Sequence, residues 1–79
     1  MKTPRDITAN DLIKALKPFG YEIFRQKGSH IRIRTELNGE HNETIPNHKP
    51  IKIGTLNAIL NNIAEHFDMT KEELIEQIF

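Results

Sequence analysis

The chain of 79 residues contains no cysteine, which excludes disulfide bridges and thiolate zinc sites and removes any pointer to an oxidising compartment. Long apolar runs are missing as well: the longest, Ala58 to Leu60, is far too short to cross a membrane. Met1-Lys2-Thr3-Pro4-Arg5-Asp6 lacks the apolar stretch of a signal peptide, so the expectation is a soluble, cytoplasmic protein without membrane contact. Internal repeats, low-complexity segments and linkers are also absent. One domain spanning residues 1–79 follows, with a core thin enough that a partner would help to stabilise it. Net charge is missing only on average. Residues 1–52 carry ten Lys/Arg against six Asp/Glu, whereas residues 53–79 carry one against five. A basic body with an acidic tail can hold a polyanion on one side and repel it on the other.

The local patterns read as α-β-β-β-α-α. Thr8 and Asp11 have capping-box spacing, with Ile7 and Leu12 placed as a hydrophobic staple. Leu12, Ile13 and Leu16 then recur at helical spacing until Pro18 and Gly20 stop the element. Tyr21 to Gln26 reads as a strand, Lys27-Gly28 as a turn, and His30 to Leu37 as a second strand. In that second strand Ile31, Ile33 and Leu37 share one face, and His30, Arg32 and Arg34 the other. Asn38-Gly39 signals a hairpin. A loop ending at Gly39 with a bulge sets Ile45 opposite Ile31 and buries it, and this register places His48 on the face of His30. Gly54-Thr55 opens a helix striped by Leu56, Ile59, Leu60, Ile63 and Phe67, with Thr55 as its expected cap. Thr70 and Glu73 cap a third helix, stapled by Met69 and Leu74. The fold class is therefore α+β, a three-stranded antiparallel sheet with helices on one face and the other face left for solvent or a ligand.

Arg25-Gln26-Lys27-Gly28-Ser29-His30 carries the chemistry. With a turn at Lys27-Gly28, Arg25 would face His30, and a fixed cation beside an imidazole favours the neutral form that a general base needs. Lys27, Arg32 and Arg34 could grip phosphate oxygens, while Gly28 and the N–H groups around Ser29 let a backbone approach closely. Such a set suits RNA cleavage through the 2′-hydroxyl, with a base and positive charge and no cofactor or metal. A solvent-facing histidine among solubilising arginines would give the same local pattern. His41 reads as solvent-facing and His66 as a cation suited to a helix C-terminus; no histidine pair has zinc spacing.

From Ile7 to Phe79 the chain resembles the HicA family, the toxin half of HicAB toxin–antitoxin pairs. The resemblance is carried, in order, by Gly20-Tyr21, Arg25-Gln26-Lys27-Gly28-Ser29-His30, Ile45-Pro46-Asn47-His48 and Gly54-Thr55-Leu56. It implies a fold similar to double-stranded-RNA-binding domains and an mRNA interferase whose essential residue matches His30. It also implies a second histidine at His48, which could assist as acid or phosphate contact, and a HicB-type antitoxin that covers the site. The alternatives are a non-catalytic RNA-binding module of the same fold and an inactive antitoxin-binding remnant.

Overall fold

The computed structural model describes residues 6–79; Met1 to Arg5, where the sequence lacks a signal-peptide stretch, lie outside the described residues. Thr8 starts the first helix, α1 (Ala9–Ala15), as its spacing predicts. Its hydroxyl accepts the Asp11 N–H at 3.1 Å, and the Asp11 carboxylate accepts the Thr8 N–H at 3.2 Å, so two N–H groups at the helix start are satisfied. A 3₁₀ turn (Lys17–Phe19) follows, closed by Gly20 at φ +83°. Three strands come next, β1 (Glu22–Lys27), β2 (His30–Thr35) and β3 (His41–Pro46), and then α2 (Ile53–His66) and α3 (Lys71–Ile78). The order α-β-β-β-α-α is the expected one. The strands pair antiparallel in the order β1-β2-β3, which leaves β1 and β3 as edges.

Ile31, Ile33 and Ile45 are buried under Leu12 of α1 and Leu16 at its C-cap, Leu56, Leu60 and Ile63 of α2, and Leu74 and Ile75 of α3. Ile45 pairs with Ile31, the register chosen in order to bury it. Each fully buried Leu or Ile side chain contributes about 1.5–3 kcal/mol, so a set this small holds the fold with little to spare. No helix among the described residues is long and apolar enough to cross a membrane.

Three boundaries differ from the sequence reading. β2 stops at Thr35, and Leu37 is half exposed rather than in line with Ile31 and Ile33. Thr35 causes this. It is buried, its hydroxyl donates to the Phe19 carbonyl at 2.7 Å and accepts the Leu37 N–H at 3.1 Å, and that second bond turns the chain out of the strand. Asn38 and Gly39 then take positive φ in a five-residue loop, 36–40, between Thr35 and its partner His41. Tyr21 precedes β1 and is fully buried. The cap of α2 is Lys52, not Thr55: the Ile51 N–H bonds the Ile7 carbonyl at 2.8 Å, Ile51 is buried, and the chain turns into the helix directly after this anchor. The third helix is capped by Thr70 and Glu73 as expected.

Candidate functional site

Gly28 and Ser29 form the two-residue turn between β1 and β2, and Lys27 pairs with His30 as the last rung of the ladder. The sequence reading set the turn one residue earlier. Gly28 decides the difference, because it takes φ +59° at the first central position, where a hairpin turn matched to strand twist requires it. Moving a turn by one residue shifts the register by two, so every side chain keeps its face while its partner changes. Lys27, not Arg25, lies opposite His30; Arg25 lies opposite Arg32. The cation expected beside the imidazole is thus an ammonium rather than a guanidinium.

A second irregularity shapes the same face. Ile23 pairs with Ile33 and Arg25 with Arg32, so Phe24 is the extra residue of a β-bulge. The bulge turns Phe24 and Arg25 to the same side. The Arg34 guanidinium lies 4.9 Å and that of Arg32 5.9 Å from the Phe24 ring centre.

Arg25, Lys27, Gly28, Ser29, His30 and Arg32 line one open concavity of about 590 Å³. The structure therefore gathers six of the eight residues singled out from sequence. Arg34 stands farther along β2, lining a separate depression with Gly20, Glu22, Glu36 and Leu37. His48 is exposed and outside the concavity. It follows the end of β3, where the His48 N–H turns back to the Pro46 carbonyl at 2.8 Å. The neighbouring Asn47 N–H bonds the Ser29 carbonyl at 2.6 Å, which ties this loop to the Gly28-Ser29 turn. His30 itself is exposed, and its imidazole makes no hydrogen bond or ion pair among the described residues. Arg25, Lys27, Arg32 and Arg34 are likewise not engaged in any ion pair among them. Three cations without ion pairs share the concavity with an open imidazole, and Arg34 stands farther along the same face, an arrangement that can attract a polyanion and offer it a base.

Two histidines have structural duties. His41 is half buried rather than solvent-facing, its Nδ1 hydrogen-bonded to the Tyr21 hydroxyl at 2.7 Å and its ring stacked on His66. The signal was present in the sequence: if Ile45 points inward, strand alternation sends Glu43 and His41 inward too. His66 Nε2 lies 3.0 Å from the carbonyls of both Leu37 and Gly39, so it carries the hydrogen and fastens the 36–40 loop to the end of α2. Asn38 strengthens the tie by donating to the His66 carbonyl at 2.8 Å.

Residues 9–64 match the family described as "HicA toxin of bacterial toxin-antitoxin". The chain belongs to the HicA toxin family. The match runs from α1 to the last turn of α2 and takes in both the His30 concavity and the His48 loop. Only α3, which closes the core with Leu74 and Ile75, lies beyond it. No curated protein and no solved structure matches this HicA toxin. As a toxin of such a pair it has an antitoxin for a partner.

Proposed function

We propose that this toxin is an endoribonuclease that cuts mRNA in the cytoplasm, with His30 as its general base and a HicB-type antitoxin as its inhibitor. The observation that carries this reading is the concavity at the β1–β2 turn, where an exposed imidazole and three cations without ion pairs among the described residues, Arg25, Lys27 and Arg32, meet a glycine turn. Phosphate oxygens would lie against Arg25, Lys27 and Arg32, with Gly28 and Ser29 admitting the RNA backbone. His30 takes the proton of a ribose 2′-hydroxyl, and the 2′-oxygen attacks the adjacent phosphorus. The bond from phosphorus to the 5′-oxygen then breaks, leaving a 2′,3′-cyclic phosphate and a 5′-hydroxyl. The cations balance the charge that grows on the non-bridging oxygens. His48 is the second candidate, as proton donor to the leaving oxygen or as a phosphate contact, on a loop tied to the turn it would serve.

Expression of the toxin alone, compared with His30→Ala, tests the reading. Growth arrest and RNA fragments ending in 2′,3′-cyclic phosphate are expected from the wild type alone, and co-expressed antitoxin should suppress both. Fragments produced equally by the variant would remove His30 from the chemistry.

A further inference from the structure

The outward face of the sheet displays an aromatic side chain, Phe24, and the β-bulge puts it there. In an unbroken ladder the side chains at Phe24 and Arg25 would fall on opposite faces; the extra residue sets both beside Arg32. Phe24 is 42% exposed, so core packing does not account for its position. Its ring is flanked by the Arg34 and Arg32 guanidiniums, and Arg32 also lines the concavity that holds His30. Arg32 and His30 are two residues apart on β2, a rise of about 6.6 Å, comparable with one nucleotide step.

We propose that Phe24 is a stacking platform for one base of a single-stranded RNA, with Arg32 and Arg34 on the phosphates either side of it. The inference deepens the reading of the His30 concavity as an RNA site and rests on it. Every base offers a π-face, so stacking suits a toxin that must hold varied RNA, and guanidiniums beside the ring add cation–π attraction. Single strands are favoured over duplex, because only an unpaired base can be splayed out onto an aromatic ring. The platform fixes which nucleotide lies next to His30, and so sets the cleavage register.

The test is binding of a short single-stranded 2′-O-methyl RNA, which cannot be cut, carrying 2-aminopurine at successive positions. Wild type is expected to bind with strong salt dependence and to quench 2-aminopurine at one position. Phe24→Ala and Phe24→Leu should each weaken binding about 5- to 100-fold and lose that quenching, while Phe24→Trp keeps both. The salt slope should be unchanged, because Phe24 neutralises no phosphate. Thermal unfolding confirms that the variants are folded. Wild-type affinity and quenching in Phe24→Ala or Phe24→Leu would overturn the platform and leave the RNA site standing. Wild type that shows no salt-dependent binding would overturn both readings. Phe24→Ala that keeps RNA affinity but loses the antitoxin would assign the patch to the protein partner instead.

Discussion

The imidazoles of His41 and His66 stack with their centroids 4.7 Å apart and their planes 19° from parallel. The Tyr21 hydroxyl hydrogen-bonds His41 Nδ1, and burial keeps that hydroxyl protonated well above its usual range. A proton added to His41 places charge against His66 in a half-buried pocket. Burial first, and His66 second, accordingly push the His41 imidazole below its ordinary value. Glu43 stands 3.8 Å from His41 Nε2, too far for a hydrogen bond and too weak an attraction to offset that burial.

Stability should therefore depend on pH in a defined direction. The depressed imidazole of His41 contributes stability that is complete above its unfolded value, about 6.5, and is lost as pH falls through its lower folded value. Glu43 acts oppositely. Burial pushes its carboxyl up, despite bonds from Asn62 and Thr44, so its proton uptake favours the folded state as pH falls towards about 4.5. The urea midpoint of wild type should fall between about pH 7.5 and 5.5. The fall should be shallower in His41→Gln and steeper in Glu43→Gln; the reverse order would contradict the assignment.

His66→Ala should destabilise the fold without touching catalysis. The loop 36–40 loses its anchor at the Leu37 and Gly39 carbonyls, and His41 loses its stacking partner. A cost of about 1–2 kcal/mol is expected from urea unfolding. Assayed below its unfolding temperature, the variant should cleave RNA at the wild-type rate.

His30→Ala is the complementary case. His30 is exposed on the face opposite Ile31 and Ile33, so its truncation leaves no cavity and should change stability by no more than about 0.5 kcal/mol. RNA affinity should persist through Arg25, Lys27 and Arg32, while cleavage falls by about 10²–10⁴-fold, the usual contribution of a positioned base. Retained cleavage in a folded, RNA-binding variant would exclude His30 as the base.

Replacing Arg32 and Arg34 together by Ala should weaken binding to all single-stranded RNAs alike. Each lost phosphate contact removes about 0.7 from the slope of log affinity against log salt, so the double variant should lose about 1.4. An unchanged slope would move the RNA to another surface, with Lys14 and Lys17 as the next candidates.

Two glycines that share a positive φ should differ sharply on substitution. Gly20 and Gly28 both have positive φ, a region that costs an L-residue about 1–2 kcal/mol. A Cβ on Gly28 would meet nothing within 4 Å, so Gly28→Ala should cost little more than that. A Cβ on Gly20 would lie 2.7 Å from Thr35 Oγ1 and 2.9 Å from Leu37, displacing the hydroxyl that ends β2. Gly20→Ala should exceed Gly28→Ala by at least about 1 kcal/mol in chemical denaturation.

Local chemistry written along the chain determined the elements, the two capping boxes, the inward pairing of Ile45 with Ile31, and the cluster around Gly28-Ser29-His30. These features rest on neighbours within a few residues or on strand alternation, and both are legible without a fold. Where β2 stops and where α2 starts were decided by tertiary structure. Thr35 ends its strand because Phe19, sixteen residues away, supplies a carbonyl for its hydroxyl. Ile51 sets the start of α2 through a bond to Ile7. His41 and His66 are twenty-five positions apart, and only the packing of α2 against β3 makes them one stack. A side chain with two plausible partners takes the one that the assembled core brings within hydrogen-bonding reach, and spacing along the sequence does not contain that distance.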